Sequence, residues 1–419
     1  MKVVIHTLGC KVNAYEADCI AYELEKRGVE VSTSLSPADI YILVSCAVTN
    51  EGERKSRQCL AKFRTLNPNA KIIVCGCASA ANKDKFIGQP NVKVVLGTSG
   101  KQWIPDLLDS EGDYVVEPPM DFEEMPEPRP SRTRAYLKVQ DGCNNFCSYC
   151  LIPYIRGRSR SRSLENILVE AFRLAKTANE IVLTGINLSD YGNGLEGDLT
   201  LTDLVSSLST INARLRLSSM EVNVITKEFL AVASNSSNFC PHFHLSLQSG
   251  SDGVLKRMNR KYTGAEYLEK VRLIRQIFPD AGLTTDIIVG FPDESDEEFN
   301  ETLRLVCEAK FHDMHIFPYS IRGGTVAAKI KQVDGNVVKD RVRQLESLRA
   351  SLRAEFLRGQ AGKTAEVLTE TFSEGYWVGH TPNFLKVYFK PNTRALTENI
   401  IAKVVVKEPF KDGVLAELA

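Results

Sequence analysis

No run of about 18 apolar residues occurs in this sequence of 419 residues, which argues against a membrane-spanning helix. Its first residues, Lys2–His6 (KVVIH), are typical of a strand and not of a secretory signal. An excess of charge is lacking too: 52 Lys and Arg face 52 Asp and Glu, which neither favours nor excludes a polyanionic partner. The eleven cysteines, without an export signal, indicate the reducing cytoplasm and favour ligation or reactivity over disulfides.

The first part of the chain alternates strand and helix patterns. Helix-like stretches cover Ala14–Arg27 and Glu51–Leu66. The predicted strands are Val3–Thr7, Ile40–Ser45, Lys71–Cys75 and Val92–Leu96. This alternation predicts an α/β fold with a parallel sheet, which we assign to residues 1–110. Residues 111–131 are acidic and proline-rich without an apolar period, which is typical of a linker.

The alternation of strands and helices returns between residues 132 and 358. The predicted strands are Ala135–Val139, Ile181–Leu183, Leu215–Ser218, His242–Leu247, Gly282–Val289 and Met314–Phe317. Six such units predict a partial, open (β/α)6 barrel, because a closed barrel needs eight. A long amphipathic helix, Val337–Leu357, follows them. Residues 359–419 are predicted to form a small all-β module with the strands Ala365–Glu370, Leu385–Phe389 and Ile400–Val406.

Three cysteines stand close together in the segment GCNNFCSYC, as Cys143, Cys147 and Cys150. Zinc sites favour paired C-x2-C units with four ligands, and ferredoxin-type clusters take four cysteines. A trio without a nearby fourth cysteine suits a [4Fe–4S] cluster with one open iron, which can bind and reduce a sulfonium compound. The alternative, three buried core thiols, disagrees with the hydrophilic Asn144 and Ser148 between them.

Cys10, Cys46 and Cys77 form a second set, because each follows the carboxyl end of a predicted parallel strand. These ends lie along one edge of an open parallel sheet, where ligand sites form. Three thiols that are far apart in sequence are therefore expected to converge and to hold a second cluster. A single cysteine at a strand end is more often a core residue, and Cys75 competes with Cys77 as the third ligand. We prefer Cys77, which lies beyond the strand beside Gly76.

The cysteines belong to longer motifs that extend over nearly the whole chain. The motifs are TLGCKVNAYEAD, SCAVTNEGERKSRQ, CGC, QDGCNNFCSYCLIPYIRGRSRSR, HLSLQSGSDGVLKRMNRKYT, DIIVGFPDE and FPYSIRGGT. Together they resemble the methylthiotransferase family of radical S-adenosylmethionine enzymes, and VGHTPNFLKV resembles the TRAM module, a small OB-like barrel. One departure is CASA after Gly76, where the family usually has an aromatic residue or Met followed by Ala-Gln.

The resemblance implies a cytoplasmic transferase with two [4Fe–4S] clusters and S-adenosylmethionine. It divides the chain into a methylthiotransferase N-terminal domain (1–110), a radical S-adenosylmethionine domain (132–358) and a TRAM-like domain (359–419). The closely spaced trio Cys143, Cys147 and Cys150 would be catalytic and generate the radical, and the dispersed trio would hold a sulfur-delivering cluster. Further cofactor contacts are expected from Tyr149, Gly185, Asn187, Ser219, Glu221 and Gln248. The alternative is that these are ordinary loop residues.

Basic residues surround the radical motif. Between residues 132 and 162 Asp141 is the only acid, against Arg132, Arg134, Lys138, Arg156, Arg158, Arg160 and Arg162. Because Arg and Lys contacts to phosphate supply RNA affinity, we expect RNA contacts from Arg156, Arg158, Arg160 and Arg162. Lys386 in the TRAM-like module is a further RNA-binding candidate by resemblance. The alternative is a solvated charged face. No catalytic base is assigned to any of the six histidines.

Two short segments resemble one branch of the family. They are KVN after Cys10 and Asp141 before Gly142, and this branch methylthiolates C2 of N6-threonylcarbamoyladenosine next to the anticodon in tRNA. Other branches act on isopentenyladenosine in tRNA or on a ribosomal-protein aspartate. The expected partners are tRNA and an electron donor such as flavodoxin or ferredoxin. Two alternatives stay open: a radical enzyme whose second cluster only transfers electrons, and a non-catalytic RNA-binding protein with structural metal.

Overall fold

The computed structural model describes residues 1–47, 50–391 and 396–419, without the side chain of Asn50. No helix in these ranges is both long and apolar enough to cross a membrane. Three regions follow one another along the chain: a parallel sheet with helices, a group of alternating strands and helices, and a closed β-barrel. This order confirms the predicted fold class.

The N-terminal region contains β1 (Lys2–Thr7), α1 (Lys11–Lys26), β2 (Glu30–Ser32), β3 (Ile40–Ser45), α2 (Asn50–Leu66), β4 (Lys71–Gly76), α3 (Cys77–Ala81), β5 (Val92–Leu96) and β6 (Gly112–Tyr114). The strands form a parallel sheet in the order β2-β1-β3-β4-β5-β6. Two core clusters, on opposite faces of the sheet, bury its central strands, which explains their continuous apolar runs. As a result, the carboxyl ends of β1, β3 and β4 lie side by side.

The acidic segment predicted as a linker takes part in this sheet. Gly112–Tyr114 pairs with β5 as an edge strand. Farther along, Glu123 Oε1 accepts a hydrogen bond from the backbone N–H of Gly100 at 2.7 Å, and Glu124 Oε2 lies 2.8 Å from Arg162 Nε. The segment is therefore attached to both neighbouring regions. Its edge strand is short and polar, so that no apolar pattern marks it in the sequence.

The central region contains β7 (Ala135–Lys138), β8 (Gln140–Asp141), α4 (Ile152–Ile155), β9 (Arg160–Ser161), α5 (Leu164–Leu174), β10 (Glu180–Thr184), α6 (Leu201–Ser207), β11 (Arg214–Leu217), α7 (Lys227–Asn235), β12 (His242–His244), α8 (Asp252–Arg257), α9 (Gly264–Ile277), β13 (Gly282–Val289), α10 (Asp296–Ala309), β14 (Asp313–Pro318) and α11 (Gly335–Arg358). Two parallel sheets, β11-β10-β7 and β12-β13-β14, are joined by single bridges such as Met220–Leu245. They form the predicted partial barrel around one large core.

The C-terminal region contains β15 (Thr364–Ser373), β16 (Tyr376–His380), β17 (Lys386–Phe389), β18 (Ile401–Phe410) and β19 (Gly413–Leu418). These strands close into a barrel in the order β15-β16-β17-β19-β18. The barrel lies against the amino ends of the central strands. Arg216 Nη1 donates to Pro382 O at 2.9 Å, and Asn383 Nδ2 donates to Asp280 O, just before β13, at 2.9 Å. The C-terminal barrel therefore covers the end of the central barrel that is opposite to the cysteine trio.

Candidate functional site

The dispersed cysteines lie where neighbouring strands of the N-terminal sheet end. Cys10 follows β1 as the N-cap of α1, Cys46 follows β3, and Cys77 is the first residue of α3 after β4. Glycines in these loops allow neighbouring backbone segments to approach closely. A Cβ on Gly9 would lie 3.0 Å from Cys46 Sγ, and Gly76, with φ 102°, would place a Cβ 2.6 Å from Ser45 O. The three loops that carry these cysteines therefore lie side by side at one edge of the sheet.

The three thiols differ in exposure. Cys10 is exposed, and its neighbours raise the pKa of its thiol, with desolvation as the largest cause. Cys46 and Cys77 are buried. Cys75 is also buried, but it packs among the core residues of the sheet, and burial raises its pKa to about 12. The positions favour Cys77 over Cys75 as the third ligand.

The closely spaced cysteines occupy the loop between β8 and α4. Gly142, with φ 71°, opens this loop; a Cβ there would lie 1.9 Å from Arg158 O. Burial raises the pKa of the Cys143 and Cys150 thiols to about 12. Such thiols keep their protons until a cation replaces them, as in metal binding. Three thiols with no fourth cysteine among them fit a cluster with an open iron.

A cavity of about 200 Å³ borders the loops of both cysteine sets. It is lined by Cys150 and Tyr149, which belong to the loop between β8 and α4, and by Ala47, the residue after Cys46. We call the loop between β8 and α4 the radical loop. Other walls come from the ends of the central strands and the segments after them, with the polar residues Gln248, Asp286, Ser320 and Arg322. We call this space the reaction cavity. A substrate bound there touches both cysteine loops.

Arg156 joins the two sites from a fully buried position. Its Nε donates to Cys77 Sγ at 3.4 Å, and its Nη2 donates to Asn13 Oδ1 at 2.8 Å. Its Nη1 lies 3.1 Å from both carboxylate oxygens of Asp141 and 3.3 Å from Glu16 Oε1. One guanidinium thus ties the N-terminal sheet to the strand before the radical loop.

Sequence comparisons agree with this arrangement. The Radical SAM superfamily matches residues 137–306, and a family described as uncharacterized protein family UPF0004 matches residues 2–97. The chain is 38% identical to the threonylcarbamoyladenosine tRNA methylthiotransferase MtaB of Bacillus subtilis, over 98% of this chain and 94% of the relative. It is 39% identical to MtaB of Thermotoga maritima, over 94% of this chain and 92% of the relative.

The chain belongs to the radical S-adenosylmethionine methylthiotransferase family. It is therefore a transferase that uses S-adenosylmethionine and [4Fe–4S] clusters. Within the family it is also 37% identical to tRNA-2-methylthio-N(6)-dimethylallyladenosine synthase of Thermoanaerobacter sp. (strain X514), over 88% of this chain and 82% of that relative.

Two solved structures share the fold of this methylthiotransferase. The radical S-adenosylmethionine methyltransferase TsrM from Kitasatospora setae has a TM-score of 0.58 at 11% identity, and covers 78% of this chain and 74% of its own. The cobalamin-dependent radical enzyme OxsB has a TM-score of 0.53 at 15% identity, and covers 84% of this chain and 56% of its own.

The predicted cofactor contacts of the methylthiotransferase fall into two groups. Tyr149 and Gln248 line the reaction cavity beside Cys150. Glu221 lies beside the radical loop, where its Oε1 accepts from Asn145 Nδ2 at 2.8 Å. These three residues stay candidates for cofactor contact.

The others lie differently from the expectation. Gly185 permits close approach, but the group that approaches is the Gln140 side chain, whose Oε1 would lie 2.8 Å from a Cβ there. The same oxygen accepts from the backbone N–H of Asn187 at 2.8 Å. Ser219 lines a second, larger cavity inside the barrel instead of the reaction cavity. A glycine pattern predicts a close approach and does not tell which group makes it.

Burial changes the interpretation of the arginine run. Arg156, Arg160 and Arg162 are buried. Arg160 Nη2 lies 3.7 Å from Asp141 Oδ2, and Arg162 Nη1 lies 2.8 Å from Glu170 Oε2. The expectation that these three arginines contact RNA is corrected, because their charges face acids of the protein interior.

Arg158 and Lys386 stay candidates for RNA contact. Arg158 is exposed, with its guanidinium 4.4 Å from the centre of the Phe146 ring. Lys386 is half-buried and lies 2.8 Å from Asp412 Oδ2. Of the two, Arg158 is closer to the radical loop in sequence and holds its charge at the surface.

Sequence reasoning missed several residues around the methylthiotransferase site. Arg260 Nη1 donates to Cys147 Sγ at 3.5 Å, and its Nη2 lies 2.8 Å from Glu221 Oε1. Nothing in the sequence indicated that most of the histidines lie together. Five of them line the second cavity: His242, His244, His312, His315 and His380. The available signal was the alternation HFH along one strand, which places His242 and His244 on one face.

Proposed function

We propose that this chain methylthiolates C2 of N6-threonylcarbamoyladenosine next to the anticodon in tRNA. The observation that carries this proposal is the reaction cavity, which borders Cys150 on one side and the loop of Cys46 on the other. The substrate follows from relatives named MtaB, which match nearly the whole chain. When bound, the cofactors supply the radical that removes hydrogen from C2, and the sulfur and methyl groups that replace it.

The side chains of the protein hold and position these groups. Cys143, Cys147 and Cys150 would bind the radical-generating cluster, and the dispersed cysteines would bind the sulfur-delivering one. Arg156 and Arg260 each donate a hydrogen bond to a cysteine sulfur. A positively charged donor favours the thiolate form of the cysteine and stabilises the negative charge of a bound cluster. The enclosed walls exclude water from the substrate base.

We assign RNA binding to the exposed Arg158 and to Lys386 of the C-terminal barrel. The regions 1–110, 132–358 and 359–419 are taken as the methylthiotransferase, radical and TRAM-like domains, with 111–131 between the first two. A flavodoxin or ferredoxin is the proposed electron donor, since the cluster needs single electrons of low potential.

The decisive experiment is mass spectrometry of nucleosides from tRNA treated with the anaerobically reconstituted enzyme. We expect methylthiolated threonylcarbamoyladenosine. Methylthiolated isopentenyladenosine alone would contradict the proposed substrate and leave the family unchanged. A methylthiolated ribosomal-protein aspartate, with tRNA untouched, would contradict RNA modification altogether. Iron and sulfide analysis separates both from a structural zinc protein, since two clusters contribute about eight irons per chain.

A further inference from the structure

A cavity of about 510 Å³ lies inside the central barrel, on the side away from the radical loop. Its walls are the inner faces of β7 and β10–β14, and the C-terminal barrel closes it with His380 and Phe384. One residue of the N-terminal sheet region, Lys11 at the start of α1, also reaches it. We call this space the lumen cavity. Its volume is in the range of small-molecule sites, which are about 300–1,000 Å³.

The lumen cavity adjoins the reaction cavity. Asp286 on β13 lines both spaces, and its neighbours along the strands, Ile288 and Thr284, line one each. Lys11 follows directly after Cys10, one of the dispersed cysteines at the edge of the sheet. The lumen cavity therefore begins where a substrate base would lie and extends away from both cysteine sites.

Cations are more frequent than acids on the wall of the lumen cavity, and all but one of them are paired. Each of the paired cations has a carboxylate of the protein within 4 Å: Arg134 and Arg216 with Glu180, Arg353 with Asp313, and Lys386 with Asp412. For Lys11 the described part of the chain offers no carboxylate oxygen within this distance. Among the described residues, Lys11 is thus the cation of this wall that has no carboxylate partner.

The surroundings of Lys11 are unfavourable for an unpaired ammonium. Lys11, Arg134 and Arg216 line the same space, and like charges that face one cavity repel one another. Carboxylates within 4 Å offset the charges of Arg134 and Arg216, so the ammonium without such a carboxylate needs another anion. The compensating anion is expected to be a ligand.

The nearby carboxylate of Asp286 is already engaged. Its Oδ1 lies 3.0 Å from His315 Nδ1, and its Oδ2 lies 3.2 Å from His244 Nε2. His244 Nδ1 in turn lies 2.8 Å from Thr284 Oγ1. Both oxygens of Asp286 accept hydrogen bonds from imidazoles, which offsets its charge toward an incoming anion. His315 lines the cavity with 64% of its side chain exposed, and it offers its second nitrogen to a polar ligand.

We propose that the lumen cavity receives the N6 substituent of the substrate and that Lys11 binds its carboxylate. This inference rests on the proposed function, because among the candidate substrates in tRNA only threonylcarbamoyladenosine carries an anionic substituent. The substituent enters from the reaction cavity past Asp286, and the imidazole of His315 contacts its polar atoms. Lys11 is thus a specificity-determining residue, and C2 of the base stays between the two cysteine sites.

The test compares two substrates that differ in one charge. One is tRNA carrying N6-threonylcarbamoyladenosine, and the other is the same tRNA carrying the methyl ester of that nucleoside. For the reconstituted wild-type enzyme we expect kcat/KM to be about 10- to 100-fold higher with the carboxylate, the range of a hydrogen bond to a charged group. In Lys11→Gln this ratio should fall close to one, and Lys11→Arg should keep most of it.

Partial loss of clusters lowers the rates with both substrates equally. The ratio of the two kcat/KM values therefore does not depend on cluster content. Lys26→Gln, at the other end of the same helix and on the surface, is the matched control and should keep the wild-type ratio. Iron content and 5′-deoxyadenosine formation without tRNA should be unchanged in the control Lys26→Gln, and both are measured for every variant. An unchanged preference for the carboxylate in Lys11→Gln would overturn the anion site alone. Methylthiolation of isopentenyladenosine only, by the wild type, would overturn the proposed function together with the site.

Discussion

The Nε of Arg156 lies 3.4 Å from the sulfur of Cys77, and the same guanidinium lies between the carboxylates of Asp141 and Glu16. A side chain that is fully buried therefore neutralises two acids and still donates to a cluster cysteine. Arg is suited to this position because its planar group offers several donors in fixed directions and stays charged.

Removing this guanidinium takes one buried cation away from Asp141 and Glu16, which both keep Lys138 as a partner. We expect Arg156→Gln to lower the free energy of unfolding by about 3–5 kcal/mol, the usual cost of breaking a buried ion pair. Arg156→Lys should cost less, because it keeps the charge. Urea denaturation followed by circular dichroism measures the difference. The control is the exposed Arg158→Gln, which should change stability by no more than about 0.5 kcal/mol. Equal stability of Arg156→Gln and Arg158→Gln would contradict the role assigned to the buried network.

The two cysteine sets should fail in different ways. Cys143→Ala, and likewise substitution of Cys147 or Cys150, should abolish reductive cleavage of S-adenosylmethionine. Substitution of Cys10, Cys46 or Cys77 should preserve cleavage and eliminate methylthiolation, because these sulfurs lie on the other side of the reaction cavity. Chromatography of 5′-deoxyadenosine and of digested tRNA nucleosides reports both activities. The exposed Cys307→Ala on α10 is the control. If every folded variant of Cys10, Cys46 and Cys77 also lost cleavage, the assignment of separate roles to the two cysteine sets would be wrong.

Arg158 offers a sharper test of RNA binding than the rest of the arginine run. Reversing its charge in Arg158→Glu should weaken tRNA binding and flatten the slope of log K against log salt by about one, as for the loss of one or two phosphate contacts. Filter binding of tRNA at several salt concentrations measures this slope. Arg343→Glu, exposed on α11, is the matched control. Identical slopes for the two variants would show that Arg158 belongs to a solvated face.

The contact between the central and C-terminal barrels should depend on pH through Glu180. Burial alone would raise the pKa of this carboxyl, but Arg216 and Arg134 outweigh burial and hold the pKa below its usual value. A lowered pKa in the folded protein gives stability that is present above the unfolded pKa of about 4.3 and is lost as the pH falls below it. The free energy of unfolding should therefore begin to fall near pH 5 and continue to fall below pH 4, toward the lower pKa of the folded state.

Glu180→Gln removes this titration. We expect the variant to be less stable than the wild type at pH 7 and to lose less stability than the wild type on acidification. Urea denaturation at several pH values measures both, and Glu30→Gln, on an exposed edge strand, should follow the wild-type curve. Parallel pH curves for Glu180→Gln and the wild type would mean that this carboxylate does not stabilise the contact.

Strands with continuous apolar runs were predictable, and polar or interrupted ones were not. Ile40–Ser45 and Gly282–Val289 agree with the structure residue for residue. The strand predicted at His242–Leu247 ends at His244. Beyond it the chain pairs through single bridges at Leu245 and Gln248, and Gln248 has a positive φ of 67°. Tyr376–His380 was missed, since it mixes aromatic, glycine and histidine residues without an apolar run.

The cysteine sites could be predicted because strand ends in a parallel sheet have a fixed order. The role of Arg156 could not, because it depends on Glu16, which lies 140 positions away in sequence. A basic run looks the same in sequence whether it faces solvent or buried acids. The lumen cavity was equally hidden: Lys11 and His315 meet there only after three regions of the chain have packed together.

The position of Glu16 has a consequence for how the chain folds during synthesis. This buried carboxylate is paired with Lys101, at 2.7 Å, but also with Lys138 at 2.9 Å and Arg156 at 3.3 Å. When the N-terminal sheet region has been synthesised, Glu16 is present in it but Lys138 and Arg156 are not yet made. We therefore expect the nascent N-terminal sheet to stay loose until the segment around Arg156 emerges, so that the cluster loops take their final shape only when both cysteine sets exist.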